Sequence, residues 1–148
     1  MIIFIHGFGS SGKGGKAELF RRYFKEKNIP FIAPSLSYVP ELAISTLEEL
    51  IDSYTNVSLI GSSLGGFYSI YLSNRYNLKA VLINPAVKSE KTLKRHIKQK
   101  GYSINYYDES SFEWRESHLE MLKRYIVDKP NEKNIFLLLQ KGDKVMRS

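Results

Sequence analysis

Short apolar runs alternate with amphipathic stretches along most of this chain, and that alternation leaves few folds open. IIFIH (2–6), IPFIAP (29–34), NVSLIG (56–61), KAVLINP (79–85) and NIFLLLQ (134–140) each read as a buried strand. Between them, residues 13–27 place Ala17, Phe20, Phe24 and Lys27 along one helical face, widened by Leu19 and Tyr23. Residues 41–54 do the same with Ala43, Leu47, Leu50, Ile51 and Tyr54, and residues 63–76 form a third helix. Nearly continuous apolar strands separated by helices make a parallel sheet covered on both faces. The expected fold is therefore a three-layer α/β/α domain with a mainly parallel five-stranded sheet in the order 2-1-3-4-5 and right-handed crossovers. All 148 residues fit one domain. The rhythm breaks over 88–130, a charged and aromatic stretch with a helical stripe at Trp114, His118, Met121, Leu122 and Tyr125, which reads as a cap-like insertion beside the sheet.

The loop after the first strand, HGFGSSGKGGK (6–16), matches three binding motifs at once. Gly7 to Lys13 has the spacing of a P-loop, but Gly14 stands where that motif needs a magnesium-binding hydroxyl, and no apolar strand ends in Asp. Gly7, Gly9 and Gly12 match a dinucleotide fingerprint, but the second strand ends IAPSLSY, without the acid that holds the ribose. The third match is to the oxyanion loop of an α/β-hydrolase.

A second motif decides between them. Gly61-Ser62-Ser63-Leu64-Gly65 is a G-x-S-x-G pentapeptide at a strand-to-helix junction, the setting of a nucleophile elbow. Small residues flank the turn because its backbone is tight, and the turn lifts Ser63 Oγ above the sheet. The N–H of Leu64 then faces a developing oxyanion at the N-terminus of the next helix. A second N–H comes from the loop after the first strand, supplied by Phe8 of His6-Gly7-Phe8. Gly61 and Gly65 support the elbow and Gly7 the loop. In this reading His6 packs and orders the loop and is not the base. Lys13 and Lys16 read as solvent-exposed helix charges.

Charge was the other lead to a partner. The net charge is +7, yet residues 1–55 carry six basic and six acidic side chains and residues 101–148 eight of each. The excess is Arg75, Lys79 and KSEKTLKRHIKQK (88–100), where six basic residues face only Glu90. This stretch lacks the interleaved aromatic residues of a nucleic-acid stacking platform and reads as a solvated helix face, so no nucleic-acid partner is expected. No apolar run approaches the ~18 residues of a membrane span, and no membrane partner is expected. Zero cysteines exclude disulfides and thiol chemistry, and Met1 runs into IIFI without a signal-peptide n-region; a cytoplasmic protein without metal or cofactor is expected.

HGFGSS near the N-terminus, GSSLGG at the elbow, NPAV (84–87) after the fourth strand and LLLQKGDKV (137–145) together resemble the YqiA/YcfP-type small bacterial esterases of the α/β-hydrolase superfamily. The resemblance runs through the whole chain. It implies serine esterase or thioesterase chemistry on small acyl esters, with Ser63 as nucleophile and Asp143 as the triad acid after the fifth strand. Asp143 also follows a buried strand and a glycine at the sheet edge that carries Ser63, although an ordinary Gly-Asp turn would look the same.

On this fold the triad histidine follows the acid. The resemblance places it beyond a further strand, and KVMRS after Asp143 contains none. His118, on the apolar stripe of the cap, is the candidate substitute base, against a packing role; His96 is expected to be exposed. Very low esterase turnover is therefore expected of residues 1–148, and a non-catalytic binding protein derived from a hydrolase is the alternative. Strand 134–140 is expected to lie at the sheet edge and to pair with a second copy or promote aggregation. Trp114, Tyr106, Tyr107 and Phe112 are expected either to line the acyl pocket or to pack in the core.

Overall fold

The computed structural model describes residues 1–97, 102–104 (as main chain) and 110–139. The main sheet consists of β1 (Ile2–Ile5), β2 (Phe31–Ile32), β3 (Ser58–Ser62), β4 (Ala80–Ile83) and β7 (Ile135–Leu138), all parallel, in the order β2-β1-β3-β4-β7. This is the expected order, with the fifth main-sheet run at the edge beside β4. A separate antiparallel pair, β5 (Tyr102–Ile104) and β6 (Ser111–Glu113), lies between β4 and β7 in sequence. Helices α1 (Gly15–Glu26), α2 (Pro40–Ser53), α3 (Leu64–Tyr76), α4 (Ser89–Thr92) and α5 (Glu116–Lys123) fill the connections.

Local chemistry sets the boundaries. Pro40 opens α2, where its missing N–H costs no hydrogen bond, and Asn77 closes α3 in the left-handed conformation (φ 56°, ψ 53°). The run 29–34 forms only a two-residue strand. Pro30 and Pro34 flank it and have no N–H to donate to a ladder, so pairing stops at Ile2–Phe31 and Ile3–Ile32. The basic stretch 88–100, expected as one helix, is α4 followed by a 3-10 turn over Leu93–His96; residues 98–100 lie outside the described residues.

Alternation along β1 separates two cores. Ile3 and Ile5 join Leu59, Leu82, Leu47 of α2 and Leu72 of α3 on one face, where Trp114, Leu119 and Leu122 complete the same cluster. Phe4 and Ile60 face the other way and pack with Ala17, Phe20 and Phe24 of α1. The face of α1 is narrower than its apolar spacing predicts, because Leu19 and Tyr23 are exposed. Coverage on both faces also fails at β7. Phe136, Leu137 and Leu138 are 63%, 52% and 45% exposed, so neighbours that point to opposite faces both meet solvent. β7 lies at the end of the sheet, as expected of an edge strand.

This contrast predicts different costs for similar truncations. Leu82→Ala, at a position 2% exposed, should lower the unfolding free energy by about 2–5 kcal/mol. Leu137→Ala should change it by less than about 0.5 kcal/mol. Urea titrations of the two variants check the difference.

Candidate active site

The site begins at the end of β3. Ser63 occupies the N-cap position of α3, where a serine ordinarily turns its hydroxyl back onto the helix. Here it makes no capping hydrogen bond, because its backbone sits at φ 58° and ψ −118°. A non-glycine residue held at positive φ costs on the order of 1–3 kcal/mol and persists only where its surroundings over-determine it. They do so at both ends of the residue. The Ser63 N–H donates to the Ile83 carbonyl at 3.2 Å, and the Ser63 carbonyl accepts from the N–H groups of Gly66 (2.9 Å), Phe67 (3.3 Å) and Ala86 (2.9 Å). The third bond uses the segment after β4, so NPAV helps hold the turn.

The flanking glycines are sterically required. A Cβ on Gly65 would lie 1.9 Å from the Ile5 carbonyl oxygen, and one on Gly61 would lie 2.3 Å from the Gly65 oxygen. Without those atoms, α3 approaches the end of β1 closely enough to bring the opening loop onto the elbow. A Cβ on Gly7 would stand 3.1 Å from Ser63 Cβ and 3.6 Å from its Oγ. Pairing of β1 with β3, Ile5 opposite Gly61, places these two loops side by side.

Ser63 is half-buried, and its hydroxyl has no hydrogen-bond partner among the described residues. The main-chain N–H groups of Phe8 and Leu64 likewise have none there. A cavity of about 300 Å³ opens beside Phe8 and Leu64, lined by these two and by Gly7, Tyr38, Tyr68 and Phe112 among others; its wall reaches the neighbours of Ser63 but does not include Ser63 itself. Lys13 and Lys16 are exposed, and Lys16 Nζ reaches Ser62 Oγ at 3.3 Å. Among the described residues, no group of three or more His, Asp or Glu side chains is placed to hold a metal ion.

The histidines divide by location. His6 is buried; its Nδ1 lies 2.8 Å from the Gly7 carbonyl, and its Nε2 accepts the Leu36 N–H at 2.9 Å. That pairing corresponds to a neutral ring with the proton on Nδ1, tying the opening loop to the segment after β2. Burial holds its pKa below the ordinary histidine range. His118 is also buried, stacked on Trp114 at 5.2 Å, and its Nδ1 accepts the N–H of Arg115 at 3.0 Å. It shares no hydrogen bond with Ser63. His96, expected in solvent, is half-buried with its ring 4.6 Å from that of Phe8. The sequence does not show this contact, because a basic stretch at helical spacing reads as a solvated face and the burial of His96 depends on Phe8 arriving from the β1–α1 loop.

The aromatic residues of 88–130 divide as well. Phe112 lines the cavity, whereas Trp114 is fully buried and donates its indole N–H to the Leu93 carbonyl at 2.9 Å. Asp143, Tyr106 and Tyr107 lie outside the described residues.

Two outcomes follow from this geometry. Gly65→Ala should lower the thermal midpoint by several degrees, since close-packed backbone must move by more than 1 Å, while Gly15→Ala, with open space around it, should shift it little. The buried histidines set a pH dependence. Their folded pKa values are lowered, so the native state binds fewer protons than the unfolded chain. Their stabilising contribution is complete above the unfolded value near 6.5 and is lost as pH falls from there through the lowered folded values. Denaturant titrations should show His6→Gln reducing that loss and leaving the His118 part.

Comparison with solved structures places this architecture among α/β-hydrolases. The mouse α/β-hydrolase domain-containing protein 10 superposes with a TM-score of 0.70 at 19% identity, over 98% of this chain and 70% of its own. A hydrolase from Agrobacterium vitis S4 matches at 0.70 with 15% identity, over 93% and 77%. Est1E from Butyrivibrio proteoclasticus, solved with ferulic acid bound, matches at 0.66 with 12% identity, over 94% and 78%. Likeness at these identities is likeness of fold. In sequence, the model of the Uncharacterised protein family UPF0227 matches residues 1–148, and the chain, an α/β-hydrolase fold with a serine at its elbow, belongs to that family.

Proposed function

We propose that this protein is a serine hydrolase of small carboxylic esters or thioesters, with Ser63 as nucleophile and the N–H groups of Phe8 and Leu64 as the oxyanion hole. The observation that carries the reading is the Ser63 backbone, held at positive φ so that its hydroxyl leaves its own helix and faces the Gly7 loop. In this mechanism Oγ adds to the ester carbonyl carbon. The negative charge that forms on the carbonyl oxygen is received by two preorganised N–H donors and the N-terminal end of α3. Collapse expels the alcohol or thiol, which carries off the proton given up by Ser63 Oγ, and leaves an acyl group on Ser63; water then adds to that acyl carbonyl, releasing the acid and returning a proton to Oγ. Segment 88–130 acts as a cap, a reading supported by Ser110, Ser111 and Phe112 on the cavity wall.

The step that limits this chain is removal of the Ser63 proton. A hydroxyl near its ordinary pKa is a weak nucleophile until a base is hydrogen-bonded to it. His6 has both ring nitrogens engaged, and none of the three histidines shares a hydrogen bond with Ser63 among the described residues. We assign Asp143 to the triad acid on the motif that carries it. Weak turnover is accordingly the expectation for residues 1–148 by themselves, although enzymes stripped of a triad member still keep about 10³–10⁴-fold acceleration from the oxyanion hole and binding.

The same unpaired hydroxyl favours a second reading, a binding protein that retains the pocket without catalysis. A fluorophosphonate probe separates the two. It should modify the peptide containing Ser63, more slowly than it modifies a serine hydrolase with a complete triad, and should not label Ser63→Ala. Nitrophenyl acetate hydrolysis should fall to the buffer rate in that variant. Equal hydrolysis by the two proteins, with no labelling, would remove the hydrolase reading and leave the binding reading.

A further inference from the structure

We infer that the Tyr68 hydroxyl selects the substrate, hydrogen-bonding a polar substituent on a single-ring arylalkyl acyl group held in the cavity beside Ser63. This deepens the hydrolase reading and rests on it, since it takes Ser63 and its neighbouring N–H groups as the end of the site where the carbonyl sits.

Tyr68 is four residues after Leu64 on α3, so the two side chains share one side of the helix and both line the cavity. Leu64 contributes the backbone N–H at the elbow, and Tyr68 follows one turn further along. Tyr68 is 3% exposed, yet its hydroxyl has no hydrogen-bond partner among the described residues. Among those residues only Glu90 Oε2 is both sealed and unpaired, so the Tyr68 hydroxyl is not fully sealed, and Tyr68 is a residue of the cavity wall. Burial also pushes its phenol well above the ordinary tyrosine pKa, which keeps it a donor at every physiological pH. A ligand that fills the cavity excludes water from this hydroxyl, so one carrying a group that pairs with it avoids the cost of leaving it unpaired, and one without that group incurs it.

The walls identify the rest of the ligand. Phe8 and Phe112 meet edge-on at 5.4 Å, and Tyr38 lies 5.2 Å from Phe112, so the cavity presents aromatic faces and edges. Such surfaces favour a planar ring through stacked or edge contacts. The volume of about 300 Å³ lies at the small end of ligand pockets and is enough for one ring on a short linker.

Three acids test the inference without requiring turnover: phenylpropionate, para-hydroxyphenylpropionate and para-methylphenylpropionate. Calorimetric titration of the 148-residue chain should show the hydroxylated acid binding roughly tenfold more tightly than the other two. Tyr68→Phe should reduce that preference to about onefold by weakening only the hydroxylated acid. Persistence of the preference in Tyr68→Phe, para-methyl binding as tight as para-hydroxy, or no binding of any of the three would overturn the inference. The para-methyl comparison decides the matter in the unmodified protein even if Tyr68→Phe does not fold. Repeating the titration with Ser63→Ala separates the two proposals: a preference retained there, alongside failure of the probe to label Ser63, would remove the hydrolase reading and leave the pocket's selectivity standing.

Discussion

The conformation of one residue organises this protein. Ser63 is held at positive φ by hydrogen bonds to its N–H and carbonyl, and two of its partners, Ile83 and Ala86, belong to β4 and the segment after it. The strain is sustained because α3 cannot swing away. Its first turn is locked against the ends of β1 and β3 by glycines whose missing side chains allow backbone-to-backbone contact. The elbow is therefore a property of three neighbouring parallel strands and not of the pentapeptide alone. That explains why G-x-S-x-G is informative only at a strand-to-helix junction with a suitable neighbouring loop.

Aromatic packing links the elbow to the inserted segment. The Phe8 ring touches His96, Phe112 and Trp114, with centroid distances of 4.6, 5.4 and 4.9 Å. Phe8 also belongs to the opening loop that meets Ser63. A single side chain thus couples the β1–α1 loop to the 3-10 turn, to β6 and to the residue that anchors α5. His6 adds a polar tie from the same loop to Leu36. With the loop fixed from several directions, its backbone is held in one arrangement beside the Ser63 turn.

The order of the main strands, the helices between them and the position of the elbow were legible in the sequence because each rests on local periodicity and turn chemistry. Departures came where tertiary contacts override a local pattern. Leu19 and Tyr23 fit the helical period of α1 but find no sheet beneath them. His96 sits among exposed lysines and arginine, yet turns inward onto Phe8. Trp114 and Phe112, two residues apart on a strand edge, were indistinguishable as pocket or core until Trp114 found the Leu93 carbonyl in the interior.

The sequence by itself determined the class of fold and the turn at its centre: apolar runs at strand spacing, a small-residue elbow around Ser63, and a glycine loop one strand away. Hydrophobic period and backbone sterics act over a few residues, so a linear pattern records them. The tertiary structure alone decided that His96 packs on Phe8, that Tyr68 is buried yet lines a cavity, and that β7 meets solvent on both faces. Those outcomes depend on how elements far apart in the chain share or fail to share surface, and no local pattern encodes such a contact.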